Sequence, residues 1–307
     1  MTRPRHFLVD TDLTPQEQAE VLDDAARRKK DRRGDAPLGG RSIALIFEKP
    51  STRTRLSFDV GVHELGGHPL VIDAQGSQLG RGEPIEDTAR VLSRYVSGIV
   101  IRTFGQERIV ALAAASDVPV INALTDEYHP CQVLADLQTV RERCGGTQGV
   151  TLAYVGDGAN NMAHSLLLGG ATAGMHVRIA TPAAYSPDAA VLARAAEVAA
   201  TTGGSVTTTP HPLEAADGAD VIYTDVFTSM GQESEQTARH RAFEGFRVDE
   251  RLVDASAAES IVLHCLPAHR GEEITASVLD GPRAAVWDQA ENRLHAQKAL
   301  IAFLIGS

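Results

Sequence analysis

The chain has 307 residues, enough for two domains of ordinary size, and its 43% hydrophobic and 22% charged side chains give a globular composition. With 29 basic against 40 acidic residues the net charge is −11, which argues against nucleic acid as the main partner, so any anionic ligand must be drawn by local arginines. No long uncharged apolar run predicts a membrane span, and the first residues, MTRPRHFLVDTDLT, lack the apolar core of a signal peptide. Three scattered cysteines, Cys131, Cys144 and Cys265, do not make a disulfide framework, so a reducing cytoplasm is the expected address.

In chain order, the basic run Arg27-Arg28-Lys29-Lys30-Asp31-Arg32-Arg33 follows a helical pattern and is expected to be its solvated end, where cations suit the dipole. Ten strands are predicted: Ser42–Phe47, Pro69–Ile72, Gly98–Arg102, Val118–Asn122, Thr151–Val155, His176–Ala180, Val206–Thr208, Val221–Thr224, Ile261–His264 and Ala284–Val286. Amphipathic stretches such as Val133, Leu134, Leu137 and Val140 fall between them. Strand–helix alternation predicts an α/β fold of two doubly wound domains, each a mostly parallel sheet flanked by helices. Residues 1–133 form the first expected domain and 134–289 the second, with the helix at 290–307 packing back on the first.

The strand ending at Phe47 runs through Glu48-Lys49-Pro50 into Ser51-Thr52-Arg53-Thr54-Arg55, and apolar residues then recur at helical spacing. Ser51 is the expected N-cap. The first turn offers unpaired N–H groups, the positive dipole end, hydroxyls and guanidiniums, which together suit a phosphate, although the same residues also make a plain capped helix. His129-Pro130-Cys131-Gln132 opens another helix after a strand, with proline at its favoured first position. There His129 either caps the helix or, held neutral by the dipole, donates to a carbonyl oxygen. Arg102 ends a strand, where open α/β sheets gather ligand groups and where surface ion pairs are also common.

Tyr154-Val155-Gly156-Asp157-Gly158-Ala159-Asn160-Asn161 has a strand–glycine–helix form. It lacks the third glycine of a dinucleotide loop, and no acidic residue ends the next strand, which disfavours nicotinamide. Asparagines at such a helix start could hold a carboxylate or an amine. Asp225 ends a strand and suits an ammonium ligand or a turn cap, and Gly231 frees the following loop to move. In His264-Cys265-Leu266-Pro267-Ala268-His269 a metal centre is rejected, because neighbours on extended chain face opposite sides and no further ligands cluster. A cysteine nucleophile at Cys265 stays open.

Together Ser51–Phe58, His129–Gln132, Asp225–Gly231 and His264–Pro267 resemble the aspartate/ornithine transcarbamoylase family along nearly the whole chain. S-T-R-T-R and H-P-C-Q resemble the segments both branches share, whereas D-x-x-x-S-M-G and H-C-L-P resemble the ornithine branch. The resemblance implies transfer of a carbamoyl group from carbamoyl phosphate to the δ-amine of L-ornithine, giving L-citrulline and phosphate, with arginine biosynthesis as the setting. It implies a homotrimer with sites between subunits and no metal or organic cofactor. Ser51, Thr52, Arg53 and Thr54 would bind phosphate, with Gln78 of the Gly76–Gly82 loop reaching it across a subunit interface. Arg102 and His129 would polarise the carbamoyl oxygen; Pro130, Cys131 and Gln132 would line that group, with Gln132 on its NH₂. Asn161, Asp225, Ser229 and Met230 would hold ornithine; Cys265 and Leu266 would lie by the reacting carbon, and Arg293 would close on carbamoyl phosphate. The competing expectations are a carbamoyltransferase for putrescine or an acylated ornithine, and a protein that binds carbamoyl phosphate without turnover.

Overall fold

The computed structural model describes residues 4–73, 78–228 and 233–306. Among the described residues nine strands form two wholly parallel sheets. In chain order β1 is Ser42–Phe47, β2 His68–Asp73, β3 Gly98–Arg102, β4 Val120–Leu124, β5 Thr151–Val155, β6 His176–Ala180, β7 Ser205–Thr209, β8 Val221–Thr224 and β9 Ile261–His264. The helices are α1 Pro15–Lys30, α2 Thr52–Glu64, α3 Ile85–Leu92, α4 Gln106–Ala115, α5 Pro130–Cys144, α6 Asn161–Thr172, α7 Ala189–Thr202, α8 Pro212–Ala216, α9 Gln236–Ala242, α10 Glu250–Ala255, α11 Ala276–Leu279 and α12 Val286–Ile305. Among the described residues no helix is long and apolar enough to cross a membrane.

The chain divides into two compact units, residues 1–138 with 291–307, and residues 139–290. The first unit holds the sheet ordered β2-β1-β3-β4. Its strands are apolar on both faces: Ile43 and Leu45 join one buried cluster with Phe58, Val62 and Leu300, while Ala44 and Ile46 join another with Ile85, Ile99 and Ile109. Alternating side chains that are all buried require helices above and below, as parallel crossovers provide. The second unit holds the sheet ordered β7-β6-β5-β8-β9 and its own core around Val155, Ile222, Phe243 and Val262. In each sheet the strand order reverses direction once, between β1 and β3 and between β5 and β8. Parallel sheets collect ligands outside the carboxyl ends of strands at such switch points.

Three expectations fail locally. Ala284–Val286 is no strand: Ala284 makes a single bridge with Val262, and Val286 already opens α12. The short apolar run leads into a helix that therefore starts before residue 290. The fourth strand begins after Pro119, whose missing N–H cannot join a ladder, and extends to Leu124. Arg28 is not solvated: it is 4% exposed, with Asp24 at 2.6 Å and Asp35 at 2.7 Å.

α12 is fastened in the first unit by a buried cation. Lys298 is 1% exposed and pairs at 2.9 Å with Glu64 at the end of α2, and its ammonium also donates to the Arg32 carbonyl. Removing one partner of such a pair strands the other's charge. Lys298→Ala should therefore cost about 3 kcal/mol, at the low end of the usual range because Arg32 still reaches Glu64, and urea unfolding measures it.

Candidate active site

β1 ends against β3 with Phe47 beside Arg102, and the Glu48 N–H donates to the Arg102 carbonyl at 2.9 Å. The chain then turns at Pro50 into α2. Ser51 is extended (φ −165°) and its hydroxyl accepts from the Thr54 N–H at 3.2 Å, so it caps the helix as the sequence predicts. Thr52 and Arg53 are exposed and Thr54 is fully buried. Arg293 of α12, 3% exposed, donates to Thr54 Oγ1 at 2.7 Å. The threonine oxygen is thereby occupied as an acceptor, and its O–H is left to donate to a ligand.

His129 precedes Pro130 at the mouth of α5 and is 5% exposed. Burial lowers its pKa well below the usual value, and the nearby guanidiniums of Arg293, Arg102 and Arg53 lower it further. The imidazole is thus held neutral, with one ring N–H and one ring acceptor. One turn on, the buried Gln132 donates through Nε2 to Asp136 at 2.8 Å, while its Oε1 has no partner among the described residues. An N–H donor would satisfy that oxygen. Cys131 turns the other way: its thiol packs in the core, donates to the Asn122 carbonyl at 3.2 Å, and has its pKa pushed far up by burial. Only its main chain faces the helix mouth. Gln78 is exposed beside a 3₁₀ turn.

The first unit therefore brings together Ser51, Arg53, Thr54, Arg102, His129 and Arg293, a set of donors and cations at a helix start. Such a set has the chemistry to bind an oxyanion and to polarise a carbonyl.

In the second unit the switch point between β5 and β8 carries opposite chemistry. Asn160 caps α6 by accepting from the Ala163 N–H at 2.9 Å and donates to Tyr154 Oη at 2.9 Å; Asn161, half-buried, begins the helix. Asp225 leaves β8 buried, and desolvation raises its pKa although the His264 side chain and the Cys265 hydrogen bond oppose this. Cys265 Sγ donates to Asp225 Oδ1 at 3.0 Å. Leu266 follows in the left-handed region (φ 57°), the one non-glycine there among the described residues, and its N–H donates to His264 Nδ1 at 2.9 Å. Ser229, Met230 and Gly231 lie outside the described residues.

Against the expectation from sequence, further ligand atoms do cluster at His264. Asp225, His264 and Cys265 offer ligand atoms within 4.8 Å of one another. The trio is nevertheless spent in hydrogen bonds. With Nδ1 accepting from Leu266, His264 carries its proton on Nε2, which donates to Glu273 at 3.0 Å.

Two family models match the chain: the aspartate/ornithine carbamoyltransferase carbamoyl-P binding domain over residues 5–142, and the Asp/Orn binding domain over residues 148–304. The chain belongs to the aspartate/ornithine carbamoyltransferase family. The ornithine carbamoyltransferase of Acidothermus cellulolyticus is 67% identical over 302 residues, covering 98% of this chain and 96% of that one. The solved ornithine carbamoyltransferase of Pyrococcus furiosus superposes with a TM-score of 0.95 at 48% identity, covering 99% of this chain and 98% of that one. The anabolic enzyme of Campylobacter jejuni superposes at 0.93 with 37% identity, covering 98% of each.

This carbamoyltransferase chain also uses residues that sequence reasoning passed over. Glu273 sets the His264 tautomer, Gln289 accepts from the His264 N–H at 2.9 Å, and Asp157 pairs with Arg239 at 2.7 Å in a buried bridge. Asp136, four residues after Gln132 on one helix, was accessible from i,i+4 spacing; the others meet across long stretches of chain and leave no periodic signal.

His129 gives stability a pH slope. Unfolded, it takes a proton near pH 6.5; folded, it does so only at much lower pH. Below the unfolded value the unfolded chain binds more protons, so stability is lost as pH falls. His129→Gln should lose less stability than the parent between about pH 7 and about pH 5, as read from urea midpoints.

Proposed function

We propose that this chain is an ornithine carbamoyltransferase: it transfers the carbamoyl group of carbamoyl phosphate to the δ-amine of L-ornithine, releasing L-citrulline and phosphate. The observation that carries the proposal is the α2 mouth, where the Ser51 cap, the Thr54–Arg293 contact and a neutral His129 among three guanidiniums converge. Full-length relatives named for this activity, at 57% to 67% identity, support it.

The phosphoryl oxygens take the free N–H groups of α2 and the side chains of Ser51, Thr52, Arg53 and Thr54, with Arg293 alongside. The carbamoyl oxygen accepts from Arg102, Thr54 and His129, and the carbamoyl NH₂ donates to Gln132 Oε1. A neutral δ-amine attacks the carbonyl carbon, negative charge develops on that oxygen, and the C–O bond to phosphate breaks. Each well-placed donor at the developing charge lowers the barrier by up to about 3 kcal/mol. The departing phosphate is the candidate acceptor for the amine's proton. In the second unit Asp225 and Asn161, with Ser229 and Met230, hold the α-amino and α-carboxylate groups. Asp225 is suited to this because an arriving ammonium restores the solvation that burial removed. Cys265 and Leu266 keep the amine aimed, an orientation effect.

The same reading makes the protein a cytoplasmic enzyme of arginine biosynthesis and a homotrimer in which the exposed Gln78 reaches a neighbour's phosphate. Sedimentation velocity measures the assembly. Citrulline formation tests the reaction, and Arg53→Ala sharpens the test. Loss of a charge-assisted contact should raise KM for carbamoyl phosphate about tenfold to a hundredfold and leave KM for ornithine nearly unchanged. Equal effects on both substrates would count against the assignment. On this reading the cationic groups for carbamoyl phosphate all come from the first unit, so carbamoyl phosphate should bind first; product-inhibition patterns of a random mechanism would contradict that.

A further inference from the structure

Beyond Pro267 the chain makes a second, exposed constellation. Gly271 is left-handed (φ 94°) and the Glu272 N–H donates to the His269 carbonyl at 2.9 Å, a turn that folds His269 back over Glu272. His269 Nδ1 stands 3.8 Å from Glu272 Oε2, and His240 Nε2 of α9 stands 3.0 Å from the same oxygen. One ligand atom each from His269, Glu272 and Glu273 lies within 4.8 Å of the others. Glu273 is wholly buried. Its Oε1 accepts from His264 Nε2 and the His269 N–H, but its Oε2 has no partner among the described residues.

We propose that His269, Glu272 and Glu273, beside His240, form a binding site for a divalent transition-metal cation, with zinc the best match and water completing its shell. Bonds of about 2.0–2.1 Å in tetrahedral array put ligand atoms roughly 3.3 Å apart, and the two histidine–carboxylate separations bracket that edge. An imidazole nitrogen with two carboxylates suits zinc; calcium and magnesium prefer an all-oxygen shell. A neutral ring N–H can answer Glu272 without a cation, but the buried Glu273 Oε2 is answered by nothing among the described residues. A cation supplies the positive charge with both rings neutral and gives the buried glutamate a partner. Access is open: His240, His269 and Glu272 are 40%, 51% and 36% exposed, and His240 and Glu272 line a cavity of about 720 Å³.

The site differs from the Asp225–His264–Cys265 trio, whose histidine nitrogens are both engaged, and it does not depend on the proposed reaction. The test reads metal, not turnover. Chelator-stripped full-length protein is titrated with zinc against a chromophoric zinc indicator, for the parent, His269→Asn, Glu272→Gln and Cys265→Ser, with circular dichroism confirming that each variant is folded. The expected result is one zinc equivalent retained by the parent and by Cys265→Ser, and bound roughly tenfold more weakly or worse by His269→Asn and Glu272→Gln. A parent that binds two equivalents, of which the two cluster variants each lose one, also supports the site. A parent that binds no zinc would overturn the proposal, as would cluster variants that titrate like the parent.

Discussion

Parallel strands impose the constraint on which the rest of the molecule depends. Within each sheet every strand delivers its carboxyl end to one edge of that sheet, and helices start there with their N–H groups unsatisfied. In the first unit that edge receives the Ser51-capped start of α2, Arg102 from β3 and His129 at the start of α5. Positive dipole ends and guanidiniums crowd one another, and the histidine among them responds by staying neutral. A cationic imidazole would add one more positive charge where the oxygen of a ligand must be met by an N–H. The electrostatics that draw an anion thus also fix the protonation state needed to polarise its carbonyl.

The second unit repeats the topology with the sign reversed. Its edge collects Asn160, Asn161, Asp225 and the turn after β9, and the buried carboxylate of Asp225 makes it hospitable to an ammonium. Its precision comes from a chain of hydrogen bonds: Glu273 orients His264, His264 accepts from Leu266, and Cys265 is left to donate to Asp225. The left-handed Leu266 fits this picture. A bulky residue rarely occupies that region unless surrounding bonds dictate it, and here they do.

Much of this was legible because parallel α/β units punctuate themselves. β-branched runs bounded by glycine, proline and caps marked eight of the nine strands within a residue, and Ser51 and Pro130 announced their helices. The remaining strand slid by two residues, since the Val-Pro-Val run hides where a proline breaks the ladder. The false strand at Ala284 came from reading a buried apolar run by type alone; a helix turn and a short strand look identical there. Arg28 misled for the opposite reason, as its partner Asp35 lies beyond a turn. Within the site, motif residues at helix mouths could be found from local pattern. The direction in which neighbours point could not: Cys131 and Gln132 are adjacent, yet the thiol packs into the core while the glutamine oxygen has no partner among the described residues.

That divergence bears on selectivity. The chain's charge of −11 opposes an anionic donor at long range, but screening confines that field to roughly 8 Å at physiological salt, so capture is left to local groups. A helix mouth with arginines does not by itself tell one phosphate compound from another, because inorganic phosphate satisfies the same N–H groups. Discrimination has to come from beside the phosphate. Gln132, pinned through Nε2 by Asp136, presents a carbonyl oxygen, while neutral His129 presents an N–H. An amide group answers both at once, whereas a phosphate held at the start of α2 brings no NH₂ to the buried glutamine oxygen. The penalty for a buried polar atom left without its partner exceeds the gain from making an ordinary hydrogen bond, so α5 can favour the carbamoylated anion without binding it much more tightly overall.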